Sequence, residues 1–338
     1  MKKEKGDVLN IMLRRGRHIV EKVGRPLFLC FFLGTVFLFG SCSRGIKTRR
    51  FLYFGTFIDI SLPGGCDADL FGILEDEIKR CDHLLSVKSG STAELNRNGI
   101  SRNAELAALI KRVKHAHRQT GGLFDPTVEP VLKVSGFSPA SGHKGAPAPP
   151  KDLKKALSEV GADKIKIERD VIKTGGALLN FGGCGKGYLL ERLSETLRDN
   201  LVNDALINAG GDILAMGKNS GKLWRIGVRQ PGEKSFTLVL GITDEAVATS
   251  GDYENFFMDG GKKYTHILSP TTGLSSDKRQ VTVICAAPLD ADIYATAFML
   301  METEEALGLA DERGMGLMIY EPDGKTVSNE IFRNHIVR

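Results

Sequence analysis

The stretch 178-LLNFGGCGKGYLLERL-193 is where a reading of this chain begins. Leu178, Leu179, Asn180 and Phe181 read as a strand that runs into glycines at 182, 183, 185 and 187, with Lys186 among them and a helix following. Glycine admits positive φ and close approach of the backbone to a ligand. The free N–H groups at a helix start favour anions. Two readings stand at this point: a cradle for a phosphate-bearing ligand, or a tight strand-to-helix turn with no ligand.

The 338 residues, 42% hydrophobic and 26% charged, have the balance of an ordinary globular protein and suffice for one large domain or two closely joined ones. The N-terminus is set apart. Arg14, Arg15, Arg17, Lys22 and Arg25 precede an apolar run of about fifteen residues (26–40, PLFLCFFLGTVFLFG) that ends in Ser41-Cys42. A spanning helix needs roughly twenty, so the run reads as a signal peptide. Cys42 after small residues is similar to the lipobox of bacterial lipoproteins, with lipidation of Cys42 implied; an uncleaved anchor is the alternative, and Met12 is a second candidate start. The expected organisation is a signal at 1–41, a tether at 42–50 and one domain at 51–338, exported and lipid-anchored on the periplasmic side of a bacterial membrane.

Residues 1–41 hold eight of the 46 Lys/Arg and three of the 41 Asp/Glu, leaving 38 of each in the remainder. The net charge of +5 therefore belongs to the leader, and no nucleic-acid partner is implied. Cys66, Cys81, Cys184 and Cys285 are widely spaced with no C-x-x-C pair, which points to scattered buried thiols rather than a zinc site or disulfide framework.

Residues 51–62 (FLYFGTFIDISL) alternate and read as one strand, interrupted at Gly55-Thr56 by a bulge or close backbone approach. Helices are expected at 69–85 and 103–120, joined by a polar loop. Gly-Gly, Asp-Pro and Glu-Pro punctuate 120–137 into an irregular packed loop, and 138–150 reads as exposed and mobile. A helix at 151–160 and short strands at 164–168 and 171–174 lead back to the opening stretch, whose helix is expected over 187–200. Strands follow at 204–217 as a strand-turn-strand, around Trp224, in 236–242, at 246–257 running into a Thr249-Ser-Gly turn, at 264–273 ending in Pro-Thr-Thr-Gly, and at 280–286. Helices at 291–301 and 304–313 and a strand at 315–320 close the chain. The fold class is α+β, with largely antiparallel sheet cores and flanking helices.

Asp292 and Thr296 stand four apart on one helix face. A carboxylate and a hydroxyl so placed suit a hard cation such as magnesium, which takes oxygen ligands and keeps contact with phosphate; helix capping by Asp292 with a packed Thr296 is the other reading. His266, before a turn, is a base or a structural histidine. Asp212 and Asp252 each follow a glycine, as turn residues do.

The order of motifs separates these alternatives. Phe54-Gly-Thr56, Ser86…Asn96, Gly121-Gly-x-Phe-Asp-Pro-Thr127, Gly182-Gly-x-Gly-Lys-Gly187, Asn208-Ala-Gly-Gly-Asp212, Thr249-Ser-Gly-Asp-Tyr253, His266-Ile-x-x-Pro-x-Thr-Gly273 and Asp292-x-x-x-Thr296 occur in this succession. The pattern resembles the ApbE family, the FAD:protein FMN transferases, many of them periplasmic lipoproteins. That resemblance implies a magnesium-dependent enzyme that splits FAD and attaches FMN through a phosphoester to a threonine of a target flavoprotein, exported or membrane-bound, releasing AMP. It implies metal ligation by Asp292, Thr296 and the Gly183 carbonyl, and an FAD pocket formed by Phe54, Leu123, Phe124, Asp125, Asn180, Lys186, His266 and Ile267. His266 is the candidate catalytic base.

Several positions depart from the family pattern. Asn180 and Ser269 stand where the family commonly has aspartate, Phe54 where it has methionine, and Val87 or Lys88 where a tyrosine often stacks on the flavin. The loop to Asn96 is about two residues short. Two other functions therefore remain open at this stage: a metal-dependent FAD pyrophosphatase giving FMN and AMP, and a non-catalytic FAD-binding lipoprotein.

Overall fold

Alternation of apolar and polar residues along short segments dictates sheet, and the computed structural model places most of it in one layer. It describes residues 45–64, 69–140, 146–232 and 236–337. The expected signal peptide, the lipidation candidate Cys42, and Cys66 lie outside them.

The strands are β1 (Ile46–Tyr53), β2 (Thr56–Pro63), β3 (Ile100–Ser101), β4 (Lys166–Glu168), β5 (Val171–Lys173), β6 (Ala205–Ala209), β7 (Asp212–Met216) and β8 (Trp224–Arg229). They continue as β9 (Phe236–Ile242), β10 (Glu245–Gly251), β11 (Phe256–Asp259), β12 (Lys262–Thr265), β13 (Gln280–Cys285), β14 (Gly316–Tyr320), β15 (Thr326–Ser328) and β16 (Ile336–Val337). The helices are α1 (Leu70–Leu85), α2 (Ser91–Asn98), α3 (Ala104–Gln119), α4 (Glu129–Val134) and α5 (Pro150–Glu159), then α6 (Gly185–Asp199), α7 (Pro288–Leu300), α8 (Thr303–Glu312) and α9 (Glu330–Asn334).

Among the described residues an eight-stranded sheet runs β1-β2-β6-β7-β10-β13-β14-β15, every neighbouring pair antiparallel. This is the α+β class read from the sequence. Both faces of the sheet are covered. Ala246, Ala248, Val281, Val283, Leu317 and Ile319 join the main core with helices α1, α3, α6 and α7. Their alternates Val247, Ile284, Met318 and Tyr320 pack with Trp224, Ile226, Leu240 and Ile242 of the three-stranded sheet β16-β9-β8. Double coverage explains why β13 and β14 are buried at every position. Helix α7 is likewise apolar nearly all round and lies in the core.

Five expectations are corrected. Residues 51–62 are two strands: Tyr53 pairs with Thr56 across a two-residue turn in which Phe54 (φ 55°) and Gly55 (φ 68°) are both left-handed. That turn matches the twist of a hairpin, so the glycine marks a reversal rather than a bulge. The tether shortens accordingly, because β1 starts at Ile46 and Arg50 bonds Asp59 at 2.6 Å across the hairpin. The polar loop holds α2. Thr249 and Ser250 stay within β10, paired with Thr282 and Val281. Finally, residues 178–181 are not a strand: Leu179 is held by both ends of the Asn96 amide at 2.8 Å, and Asn180 N–H by the Pro126 carbonyl at 2.7 Å.

Helix α6 begins at Gly185, so Lys186 sits in its first turn. None of glycines 182, 183, 185 and 187 has positive φ. Their role is close approach: a Cβ on Gly187 would stand 2.4 Å from the Pro288 carbonyl and 2.8 Å from Asp292 Cβ. Cys81, Cys184 and Cys285 are buried free thiols, as expected.

Gly187→Ala should therefore force α6 from α7. Overpacking of this kind costs about 1–3 kcal/mol, and a urea melt should show the loss; an unchanged midpoint would mean that the crossing has slack.

Candidate active site

The site grows from the α6–α7 crossing. Asp292 lies mid-helix, 3% exposed, and its Oδ2 accepts the Gly187 N–H at 2.8 Å. The first N–H groups of a helix lack internal partners and carry the positive end of its dipole, so a carboxylate from α7 satisfies the start of α6. Capping of its own helix is ruled out, since the N-cap of α7 is Ala287. One turn on, Thr296 Oγ1 donates to the Gly183 carbonyl at 3.2 Å. The three residues expected to hold a metal do share one corner.

The donor chemistry suits a magnesium-type ion. Cis oxygens on an octahedral ion at about 2.1 Å stand about 3.0 Å apart, close to the separation of Thr296 Oγ1 and Gly183 O. Among the described residues no three His, Cys, Asp or Glu side chains are grouped so that they could hold a metal ion between them. An ion here would have one carboxylate and neutral oxygens, leaving positions for phosphate and water.

Lys186 Nζ is 2.8 Å from Asp212 Oδ2. Asp212, buried at the start of β7, also accepts the Thr249 N–H at 3.0 Å. Burial works against the lysine's charge, but Asp212, Asp292 and Glu254 hold its pKa above the ordinary range. Burial and then Asp212 push the Asp292 carboxyl up to about 7, against Lys186 and the Gly187 N–H. Burial also raises Glu254, with Lys186 opposing.

A cleft of about 1350 Å³ runs from the Phe54 hairpin tip and Lys88 past Asn208, Thr249 and Arg229. Ligand pockets commonly occupy about 300–1,000 Å³, so this one has room for an extended ligand. An inner pocket of about 250 Å³ contains Leu123, Phe124, Asp125, Gly183, Ile267, Asp292 and Thr296. Asn180, Gly182, Lys186, Glu254, Asn255 and His266 belong to both. Every residue expected at the site thus lines one cavity or the other.

His266 Nδ1 lies 3.2 Å from the Asn255 carbonyl, which makes Nδ1 the protonated nitrogen and Nε2 the acceptor. Burial, with Lys186 nearby, pushes its pKa down to about 4 against that carbonyl, so the ring is neutral at pH 7. The Asp125 carboxylate is engaged with its own loop: Oδ1 takes the Thr127 N–H at 2.7 Å and its hydroxyl at 2.6 Å. Oδ2 is 3.4 Å from His117 Nδ1. Asp125 shapes the pocket wall rather than offering a free charge. Ser269 lies off both cavities, where its hydroxyl accepts the Thr272 N–H at 3.2 Å and steadies the Pro-Thr-Thr-Gly turn. The sequence reading took Asp212 for a turn residue and gave no role to Glu254 or Asn255; for Asp212 the ordered Asn-Ala-Gly-Gly-Asp motif was the available signal.

The ApbE family model matches residues 54–319. This chain belongs to the ApbE family. Curated relatives named FAD:protein FMN transferase include those of Treponema pallidum, 30% identical over 243 residues, and Haemophilus influenzae, 28% identical over 229 residues. Each alignment covers 64% of this chain and 66% of the relative's own length. The relative from Escherichia coli K12, under the same name, is 24% identical over 84% of this chain and 87% of its own. Among solved structures, the ApbE protein of Thermotoga maritima superposes with a TM-score of 0.81 at 25% identity, over 87% of this chain and all of that one. Flavin transferase ApbE from Vibrio cholerae gives 0.77 at 22%, over 86% of this chain and all of that one, a likeness of fold.

In this ApbE protein the inner corner sets a pH dependence. Because the folded-state pKa of Asp292 is raised, the stability it lends is complete below the ordinary value of 3.8 and is lost as pH rises through about 7. His266, with its lowered pKa, works the other way over the same range, so the Asp292 contribution is read as the difference between native and Asp292→Asn melts in chelator, which should fall by on the order of a few kcal/mol across that window. Asp292→Asn should remove this component of the slope while Glu254 and His266 keep theirs, and magnesium at pH 8 should restore stability to the native protein only; equal slopes in both proteins would refute the assignment.

Proposed function

We propose that this chain is a magnesium-dependent transferase that moves FMN from FAD to a threonine hydroxyl of a target flavoprotein and releases AMP. One observation carries the reading: the Gly183 carbonyl and Thr296 hydroxyl, 3.2 Å apart beside buried Asp292, open onto the wall shared by Lys186 and His266. An excess of carboxylates next to oxygen donors favours a divalent cation. A large cleft against that corner favours a dinucleotide whose diphosphate reaches it. The names of the relatives supply the same substrate and product class.

A magnesium ion held by Asp292, Thr296 and the Gly183 carbonyl would offset charge on the diphosphate. Lys186, kept protonated by its carboxylates, adds positive charge on the same side. Phe54, held at φ 55° on the hairpin tip, presents its ring to the cleft in a conformation that bulky residues rarely adopt. In the reaction the acceptor threonine Oγ forms a bond to the FMN phosphorus. The bond from that phosphorus to the bridging oxygen breaks, and AMP leaves with the oxygen and its electron pair. His266 Nε2 would receive the hydroxyl proton. The ring starts neutral, and the diphosphate's negative charge would raise its basicity.

The basic residues and apolar run before Cys42 support export and lipid anchoring, which would bring the cleft to exported or membrane-bound flavoproteins.

Purified protein given FAD, magnesium and an acceptor domain should form covalent FMN-protein and AMP in equal amounts. AMP with free FMN and no dependence on the acceptor would instead identify a pyrophosphatase, and intact FAD a carrier. Asp292→Ala should lower turnover about 100-fold or more, since cation assistance is worth several kcal/mol.

A further inference from the structure

Glu129, the first residue of α4, is fully buried and bonded on both carboxylate oxygens. Oε1 accepts the Ser138 hydroxyl at 2.6 Å, with Lys133 Nζ at 3.6 Å. Oε2 accepts the Asn180 side-chain amide at 2.6 Å. A carboxylate can only accept, so it fixes which end of the Asn180 amide faces it. The other end, Oδ1, is thereby turned to accept the Gly182 N–H at 2.7 Å. The next residue carries the carbonyl that meets Thr296.

We propose that Glu129 is a positioning residue for the cation corner, acting through Asn180 to set the Gly182–Gly183 turn. The proposal rests on the reading of that corner as a cation site for FAD chemistry. Glu129 touches neither cavity; its negative charge stands one side chain behind the wall and reaches the turn as a directed hydrogen bond. Buried charges that orient a ligand-bearing segment act as outer-shell partners do at metal centres, where their loss costs about 10- to 100-fold in affinity or activity.

The polarity of this relay can be inverted without changing its shape. In Asn180→Asp alone, two carboxylates would face each other at hydrogen-bond distance, an arrangement that resists ionisation of both. Adding Glu129→Gln gives back a donor on one side and an acceptor on the other. The glutamine amide would donate to position 180, its oxygen would accept from Ser138, and the carboxylate at 180 would still accept the Gly182 N–H.

The test compares the full native chain, Asn180→Asp and Glu129→Gln/Asn180→Asp at pH 8. Two readouts are needed: hydrogen exchange of a peptide covering residues 178–184, followed without FAD or metal, and the magnesium concentration that half-saturates thermal stabilisation. Asn180→Asp should speed exchange at the turn and raise the magnesium requirement about 10-fold or more. The double variant should return both to within a few-fold of native. If the double variant restores the melting temperature while the magnesium requirement never moved in either protein, Glu129 only packs the core and the proposal falls. It falls also if Asn180→Asp exchanges like the native chain. A native protein that shows this exchange pattern but no turnover of FAD would sink the proposed function while upholding the positioning role.

Discussion

The contact between Gly187 N–H and Asp292 Oδ2, 2.8 Å long, is the constraint on which the rest of the site depends. It exists only because two buried helices cross with no side chain between them. The absent Cβ of Gly187 leaves room for the Pro288 carbonyl and the stem of Asp292, and the start of α6 then receives a carboxylate from outside its own chain segment. Everything else at the corner is referred to that crossing. Lys186 precedes Gly187 and reaches Asp212; Gly183 lies just before the helix and meets Thr296, one turn beyond Asp292.

Electrostatics follow from the same geometry. Burying a carboxylate costs free energy unless an opposite charge accompanies it. Here Lys186 stands 2.8 Å from Asp212, and burial ahead of any neighbouring charge raises Asp292. The corner where they meet lies beside a cleft of about 1350 Å³.

Much of this was legible in the chain. Alternation gave β6, β7, β9, β13 and β14, and helical spacing gave α1, α3, α5 and α8 within a few residues. Ordered motifs pointed to Asp292, Thr296, Gly183, Lys186 and His266 as one group. Local pattern failed where a partner distant in sequence decides. Phe54-Gly55 has the same letters whether it bulges or reverses, and pairing of Arg50 with Asp59 settles it. Residues 178–181 look like a strand, but the Asn96 amide and the Pro126 carbonyl take their hydrogen bonds.

By itself, then, the sequence determined the α+β class and the family, because periodicity and motif order are written along one dimension. Tertiary structure alone decided what the glycines do. In the sequence they left open a phosphate cradle or a tight turn; in the fold none of the four between 182 and 187 has positive φ, and Gly187 marks where one helix lies against another. The same holds for Asn180 and Glu129, 51 residues apart. One reads as a lost charge and the other as part of an irregular packed loop, until burial brings them within a hydrogen bond and puts the charge back behind the wall.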